Sequence, residues 1–357
     1  MSASTAPVVG QRSLAGGLLR WETLLLVALA GLIVLGNALS PFFLTAGNFA
    51  NLLSALMEVA IMALPMTLVI IAGEIDLSVE SMAGLASSLL GFLWMNGVPL
   101  WLAIPLVLLV GALGGLLNGL LIARGGLPSL VVTLGTLALF RGMALIVLGP
   151  DGVSSFPTAF TAFGFGSVPG TLIPWPFVVF VVMAIVIAIV LHRTWIGRQI
   201  YAIGKNPGAA RYSGVRVTRV KVSLFVLSGL VSALAGIILT ARLNTARADA
   251  ATGLTLTVVT IVLLGGVNIF GGSGTIPGVV LGVLVIAVMQ NALRLASVTV
   301  QVQAIALGLL LILSVVIPTS AHQAKSAFDR ARGGRPPPVG SVARGERSSP
   351  TKEEEQG

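Results

Sequence analysis

Charged side chains are scarce in this chain of 357 residues, in which Asp, Glu, Lys and Arg together make up 9% of the sequence. A soluble globular protein contains roughly 25% of these residues. Three runs, at 81–123, 152–191 and 250–293, carry no charge at all. Because hydrophobic residues make up 56%, a water-soluble domain of this size could not bury its apolar surface. The shortage of charge therefore excludes a soluble enzyme and indicates a membrane protein.

Cysteine and histidine are also lacking or rare. The sequence contains no cysteine, which excludes a disulfide, an iron–sulfur cluster and a thiolate zinc site. Its two histidines, His192 and His322, flank the apolar part and cannot form a histidine metal cluster. No region combines an acid, a base and a nucleophile, so a membrane enzyme is the least favoured function. We therefore expect no metal site, no catalytic residue and no cofactor bound by this chain.

The abundant feature is the apolar run of about 20 residues, which is the length that crosses a bilayer as a helix. These runs predict an all-α polytopic membrane protein with about ten transmembrane helices. The predicted spans are 22–40, 52–72, 81–96, 100–123, 130–149, 174–192, 222–241, 254–270, 276–293 and 300–317.

The distribution of Lys and Arg tests this number of spans. With the N-terminus placed in the cytoplasm, 17 of the 21 cationic residues fall on the cytoplasmic side and three fall outside. The positive-inside rule predicts this bias, and it explains the net charge of +9 without a nucleic-acid partner. We expect a cytoplasmic tail at 1–21, a membrane domain at 22–317 and a disordered cytoplasmic tail at 322–357.

Three carboxylates interrupt the apolar sequence between the second and third predicted spans, at Glu74, Asp76 and Glu80. No Lys or Arg is nearby in sequence, and a charge at the membrane is costly unless it meets water, a partner or a cavity. Gly73 can break the helix, and Asp76 or Ser78 can cap the next one. Two interpretations stay open: a broken helix whose turn lines a permeation path, or a cytoplasmic turn with capping acids.

Other polar and small residues interrupt the spans. Segment 265–274 is rich in glycine, contains Asn268 and predicts a tight or re-entrant turn. Asn118 and Asn291 each lie late in a span, where a buried amide bonds to another helix or contacts a substrate. Glycines at intervals of four residues predict close helix packing, at Gly111, Gly115, Gly119, Gly274, Gly278 and Gly282.

These interruptions also suggest an internal duplication. Ile-Ala-Gly-Glu-Ile-Asp at 71–76 corresponds to Leu-Gly-Gly-Val-Asn at 264–268, whereas Asn118 and Asn291 correspond at a different offset. Because the two offsets disagree, the alignment of the two halves, and with it the duplication, stays open. Two halves of five spans each would have inverted topology, which is common in transporters.

Residues 193–221 form a long connection with seven Lys and Arg residues, which we expect in the cytoplasm. Asn206 is a good N-cap, Pro207 a good first helical residue and Gly214 a suitable stop, which together predict a helix over 207–213. A helix this short is not stable alone, so it needs an anchor in the span ends or a partner surface. The charges follow from the positive-inside rule, but the capped helix does not. It indicates a docking element for a soluble partner.

Five segments occur in order along the chain, at 73–79, 118–121, 128–142, 201–214 and 264–275. They begin with Gly-Glu-Ile-Asp-Leu-Ser-Val and include Tyr-Ala-Ile-Gly-Lys-Asn-Pro-Gly-Ala-Ala-Arg. Over residues 45–317 the chain resembles the ribose-type monosaccharide permeases of bacterial ABC importers. It departs from their pattern at Glu80, where glycine is expected, and at Ala292, where Asn-Gly is common.

The resemblance implies a permease subunit in the bacterial inner membrane, with both termini in the cytoplasm. It implies a second permease chain in a homo- or heterodimer, a periplasmic sugar-binding protein, and a cytoplasmic ATPase that binds ATP and Mg. This chain would have no ATPase site of its own. Its coupling loop, 193–221, would contact the ATPase through Gly204, Asn206, Pro207, Ala209, Ala210, Arg211, Ser213 and Gly214.

The candidate translocation path consists of Glu74, Asp76, Ser78, Asn118 and Asn268. The transported sugar stays open among pentoses, hexoses and deoxyhexoses. The alternative function is an ion- or proton-coupled secondary transporter of a small polar solute. In that case Glu58 and Arg141 would be the relay residues, because charges within spans often mark relays. Alternatively, Glu58 and Arg141 are each part of a structural ion pair or lie at a helix end.

Overall fold

The structure is a computed structural model and describes residues 21–331. The chain divides after Val315 into a large unit and a short C-terminal unit. The described residues form fourteen α-helices and two strands, β1 (Val153–Ser154) and β2 (Thr245–Ala246), which pair antiparallel. In chain order the helices are α1 (Trp21–Leu39), α2 (Ala46–Ala55), α3 (Met57–Ile71), α4 (Val79–Met95), α5 (Leu100–Ala123), α6 (Ser129–Leu148), α7 (Thr158–Phe165), α8 (Trp175–Arg193), α9 (Trp195–Lys205), α10 (Pro207–Tyr212), α11 (Val217–Leu243), α12 (Leu254–Leu264), α13 (Ile276–Leu295) and α14 (Val300–Ala331).

Each of the ten predicted spans coincides with a helix or a pair of helices, which confirms the all-α polytopic architecture. The second span is the pair α2 and α3, bent by 44°. Between residues 21 and 331, six helices are long and apolar enough to cross a bilayer, and the bent pair makes a seventh if it forms one span. The apolar helices α4, α12 and Val300–Ser314 are shorter. The number of ten spans and the inverted repeat therefore stay predictions.

Two element boundaries differ from the predicted ones for identifiable reasons. Helix α12 ends at Leu264, whereas a span over 254–270 was expected, because two consecutive glycines end the helix. Helix α14 includes Pro318 and continues to Ala331, past the predicted tail boundary at 322, over a segment that contains no further glycine or proline. Of the predicted tails at 1–21 and 322–357, residues 1–20 and 332–357 lie outside the described residues.

Helix α3 lies at the centre of the large unit, because all 15 of its residues are buried. Its sequence is apolar on every side, which is typical of a helix surrounded by other helices. Helices α8, α11, α12 and α13 pack around it, and α11 also packs against α4 and α5. At the edge, α1 is fixed by the indole N–H of Trp21, which donates to the carbonyl oxygen of Leu264 at 2.7 Å.

Glycine allows α5 and α11 to pack backbone against backbone. A Cβ added to Gly115 would lie 2.1 Å from the carbonyl oxygen of Phe225, and one on Gly111 would lie 2.7 Å from that of Gly229. A Cβ on Gly119 would lie 2.9 Å from the Cα of Val222. Close backbone contact of this kind holds helices together in lipid, where the hydrophobic effect gives no preference for helix contact.

The second glycine series brings α13 against the end of α12. A Cβ on Gly278 would lie 2.2 Å from the carbonyl oxygen of Gly265, and one on Gly282 would lie 2.6 Å from that of Ile261. Gly274 does not belong to this helix face. It has a φ of +150° and lies in the turn before α13, which corrects its expected helical position.

We expect Gly115→Ala to lower the free energy of unfolding by about 1–3 kcal/mol, because the added methyl group would overlap the α11 backbone. Gly135→Ala is the matched control, since Gly135 is also inside a helix and has nothing within 4 Å of an added Cβ. The measurement is the unfolding midpoint of each purified variant in detergent. Equal midpoints for the two variants would contradict the close approach of α5 and α11.

Candidate functional site

Residues 72–78 interrupt the helices between α3 and α4, and the interruption runs from the surface into the interior. Gly73 is exposed and has a φ of +81°, a conformation that glycine adopts without strain. Asp76 and Ser78, further along, are 1% and 2% exposed. The segment is therefore a helix break packed within the bundle, and both interpretations, a turn that lines a permeation path and a cytoplasmic turn with capping acids, stay predictions.

Asp76 is the centre of a buried hydrogen-bond network. Its Oδ1 accepts from the backbone N–H and the hydroxyl of Ser78, at 3.0 and 2.6 Å. Its Oδ2 accepts from the hydroxyl of Ser228 on α11 at 2.7 Å. Nδ2 of Asn118 on α5 donates to the Ser78 hydroxyl at 2.9 Å. Hydrogen bonds to a carboxylate are stronger than those between neutral groups, so the network ties the helix break to α5 and α11.

One acceptor in this network is left open. Oδ1 of Asn118 is buried, and no described residue donates a hydrogen bond to it. A buried amide oxygen without a donor is costly, and in native proteins such groups call for a specific explanation. Three of the five predicted path residues, Asp76, Ser78 and Asn118, thus meet at one point with an unused acceptor beside them.

The other two predicted path residues lie apart from this network. The carboxylate of Glu74 forms an ion pair with Lys221 on α11. Asn268 is exposed, and its Oδ1 accepts from the backbone N–H of Phe270 at 3.0 Å. Neither side chain bonds to Asp76, Ser78 or Asn118 in the part of the chain that the structure describes.

Three interruptions of the helices meet at one backbone contact, which we name the glycine junction (Ile71, Gly204, Gly271 and Gly272). The N–H of Gly272 donates to the carbonyl oxygen of Ile71 at 2.8 Å. A Cβ added to Gly204 would lie 1.8 Å from that oxygen and 2.5 Å from the nitrogen of Gly272. The glycine junction therefore joins the ends of α3 and α9 to the loop between α12 and α13.

The basic connection after α8 folds into two helices. The expected short helix is present as α10, where Oδ1 of Asn206 accepts from the N–H of Ala209 at 3.0 Å, and Gly214 follows with a φ of +82°. Helix α9 was not predicted. The spacing of Ile196, Ile200 and Ile203 on one face is the signal that could have identified it.

Helix α9 is also attached to the loop before α13. The hydroxyl of Tyr201 donates to the carbonyl oxygen of Gly274 at 2.7 Å. Burial raises the pKa of Tyr201 above its ordinary value. The end of α9 is therefore fixed by a side chain as well as by the glycine junction.

Charged residues within the helical bundle are paired across long sequence separations. Nε of Arg242 donates to Oε1 of Glu58 at 2.6 Å, and Nη2 of Arg141 donates to Oε1 of Glu80 at 3.1 Å. The partners are 184 and 61 residues apart, and no local sequence pattern predicts such pairs. For Glu58 and Arg141, the geometry corresponds to the structural ion pair that the sequence left open.

A polar cavity of about 410 Å³ lies at the opposite end of the bundle from the basic connection. It is lined by polar side chains from α2, α11 and α13, namely Asn48, Asn51, Ser54, Arg242, Asn291 and Arg294. Asn48 and Asn291 exchange two amide hydrogen bonds, at 2.9 and 2.8 Å. Asn291 thus makes an interhelical bond. No local sequence pattern indicates this cavity, because its residues come from distant segments.

Comparisons with known proteins match most of the chain. A family model described as the permease component of the branched-chain amino acid transport system matches residues 48–315. Autoinducer 2 import system permease protein LsrD from Yersinia enterocolitica is 42% identical over 264 residues, which are 72% of this chain and 79% of the relative. The protein of the same name from Escherichia coli K12 is 40% identical over 302 residues, 83% of this chain and 91% of the relative. No solved structure matches the chain.

We expect Asp76→Ala to lower the free energy of unfolding by at least about 2 kcal/mol, because it leaves buried donors of Ser78 and Ser228 without an acceptor. Asp249→Ala is the matched control. The Asp249 side chain is 62% exposed and pairs with Arg247 at the surface, where ion pairs contribute about 0–1 kcal/mol. Unfolding midpoints in detergent measure the difference. A loss at Asp76 no larger than that at Asp249 would show that the network does not hold the helix break.

Proposed function

Because the chain belongs to the family of ABC-importer permease components, we propose that it is the membrane subunit of an importer for a small sugar-like solute in the bacterial inner membrane. The observation that carries this proposal is the family match over residues 48–315, which includes nearly every described helix. Two substrate classes follow. Autoinducer 2 is the one given by the relatives' names, and a monosaccharide is the one implied by the ribose-type resemblance.

The energy for transport comes, in this proposal, from a partner. The chain has no Gly-Lys-Ser or Gly-Lys-Thr phosphate loop, so ATP and Mg would bind to a cytoplasmic ATPase. A periplasmic binding protein delivers the solute, and a second permease chain completes a homo- or heterodimer. Both termini lie in the cytoplasm, on the same side as the basic connection 193–221.

We propose that α10 is the contact for the ATPase. The helix is anchored by Ala210, which is buried, while Arg211 and Tyr212 are exposed. The Tyr212 side chain is 96% exposed, and aromatic residues are enriched at the centre of protein interfaces. An exposed aromatic residue on a helix too short to be stable alone favours docking over a solvated surface. The contact would extend over the predicted coupling residues from Gly204 to Gly214.

Movement of α10 would reach the helix break through the glycine junction. Gly204 leaves no space between the end of α9, the end of α3 and the loop 265–274, so a displacement of α9 must displace both neighbours. The helix break begins directly after Ile71 and contains the Asp76 network. Nucleotide binding at the ATPase would thereby bias the bundle between two conformations.

We propose that the translocation path follows this helix break, along Glu74, Asp76, Ser78, Asn118 and Asn268. Its support is the unused acceptor of Asn118, together with two polar side chains near the surface, those of Glu74 and Asn268. In the described conformation, Asp76 and Asn118 are sealed from water. The path would open only when the helix break moves.

The alternative, an ion- or proton-coupled secondary transporter, has less support. A relay residue must exchange its proton or ion during each cycle. Glu58 and Arg141, the suspected relay residues, are both held in ion pairs, with Arg242 and Glu80. No observation on the described residues favours the alternative, but the energy source distinguishes the two functions directly.

The test measures uptake in cells that lack their own importers for ribose and autoinducer 2. The chain is expressed together with the ATPase, the soluble binding protein and, where the same genome encodes one beside them, the second permease chain. We expect labelled autoinducer 2 or ribose to accumulate, and accumulation to continue when a protonophore collapses the proton gradient while ATP is maintained. Uptake that stops with the protonophore and does not need the ATPase would replace the importer by the secondary transporter.

We expect Tyr212→Ala to weaken binding of the ATPase about tenfold, the effect of losing ~1.4 kcal/mol at an interface. Phe165→Ala is the matched control, because Phe165 is 65% exposed and lies on α7, away from the basic connection. Binding of the purified ATPase to each variant in lipid nanodiscs measures the change. Unchanged binding after Tyr212→Ala, or an equal loss after Phe165→Ala, would contradict docking at α10.

A further inference from the structure

Arg141 is a charged residue deep in the bundle whose side chain is not covered. It lies on α6, and 41% of its side-chain surface is exposed. Its neighbour Phe140 lies against Gly114 of α5. Gly114 is about 21 Å from the start of α5 at Leu100 and about 14 Å from its end at Ala123, at 1.5 Å per residue. Arg141 is therefore exposed near the middle of a predicted span.

A charged guanidinium group that contacts lipid tails near the middle of the membrane is energetically unfavourable. Long cationic side chains usually avoid lipid by extending to the membrane surface, but Arg141 is held in place. Its Nη2 donates to Oε1 of Glu80 at 3.1 Å and to the hydroxyl of Thr252 at 3.3 Å. Its exposed surface must therefore be covered by another protein chain or by water.

Glu80 fixes this arrangement from three sides. Its Oε1 accepts from Arg141, and its Oε2 accepts from the N–H groups of Gly253 and Thr255 at 3.0 Å each. A carboxylate at the start of α12 satisfies backbone donors that have no partner within the helix. The Arg141–Glu80 pair thus joins α4, α6 and the start of α12 and carries no net charge.

The bound guanidinium keeps unused donors. Arginine has five N–H donors, and Nη2 accounts for two of them. Nε and Nη1 of Arg141 make no hydrogen bond to any residue between 21 and 331 for which side chains are described. Leu134, Ala138 and Leu145 lie on the same face of α6, and all three are exposed. The exposed face of α6 thus combines small and apolar residues with one fixed polar point.

We propose that this face of α6 lines a water-filled transport path, and that Nε and Nη1 of Arg141 donate hydrogen bonds to hydroxyl oxygens of a neutral polyhydroxylated solute. The inference rests on the proposed import function and adds a binding point to it. A neutral solute is favoured because Glu80 already compensates the charge of Arg141. An anion would meet the Glu80 carboxylate beside the guanidinium.

The absence of cysteine from the chain makes the location directly testable. Ala138→Cys places a thiol one helical turn before Arg141, and Ile185→Cys is the control, at an exposed position in the middle of α8. Each full-length variant is treated in membranes with an impermeant trimethylammonium methanethiosulfonate. We expect Ala138→Cys to react at least tenfold faster than Ile185→Cys. Equal rates, as at a lipid-facing or dry chain–chain surface, would overturn the proposal.

The role of Arg141 is tested by protection of the same thiol. D-ribose is the neutral probe and ribose 5-phosphate its anionic counterpart. We expect 50–100 mM ribose, roughly the range for a site with millimolar affinity, to slow modification of Ala138→Cys at least twofold. Ribose 5-phosphate should have no such effect, and adding Arg141→Lys, which keeps the charge but removes the Nε and Nη1 donors, should abolish protection. Protection that persists in the double variant would overturn the role of Arg141.

The two proposals fail in different ways. If the thiol is unreactive while the complete importer still accumulates solute with ATP, the α6 path is wrong and the import function stands. If the thiol reacts and ribose protects it, but no uptake depends on the ATPase, the solute-binding face stands and the import function fails.

Discussion

Buried carboxylates must be satisfied within the protein, and this requirement organises the bundle. Glu58, Asp76 and Glu80 lie on α3, in the helix break and on α4, and each is less than one-tenth exposed. Their partners come mainly from α6, α11 and the start of α12. Losing such a partner would leave a buried carboxylate without its cation or its hydrogen-bond donors, which is strongly destabilising. The acids therefore fix which helices are neighbours, and the apolar surfaces fill the space between them.

Glycine determines how closely those neighbours approach. The backbone contact of α5 and α11 positions Asn118 and Ser228 on either side of the helix break. The glycine junction does the same for α3, α9 and the loop 265–274. The glycine junction connects an exposed helix to the buried helix break without a flexible side chain between them, as the proposed coupling to an ATPase requires. In the proposed function, rigid backbone contact at the glycine junction couples movement of α10 to movement of the helix break.

Glu80 distinguishes this chain from the ribose-type pattern and bears directly on the proposed binding of solute by Arg141. It occupies the position at which the sequence departs from the ribose-type pattern, and it compensates Arg141, which is part of that pattern. A compensated guanidinium in a water-filled path offers hydrogen bonds without a net charge. This chemistry suits a hydroxylated neutral solute and gives a reason for the departure. The polar cavity at the opposite end of the bundle differs from the Arg141–Glu80 pair in its charge. It is lined by Arg242 and Arg294, of which Arg242 pairs with Glu58, so cations exceed acids by one.

The sequence by itself determined the all-α membrane class, the approximate position of each predicted span and the capped helix at 207–213, because hydrophobic runs and caps are local signals. The predicted and observed bounds of α5 coincide, and the spacing of isoleucines in α9 is a local signal of the same kind. Tertiary structure alone decided the Arg141–Glu80 and Arg242–Glu58 pairs, the separation of Glu74 and Asn268 from Asp76, and the glycine junction. These contacts join residues far apart in sequence. Their geometry depends on how whole helices pack, which no local pattern encodes.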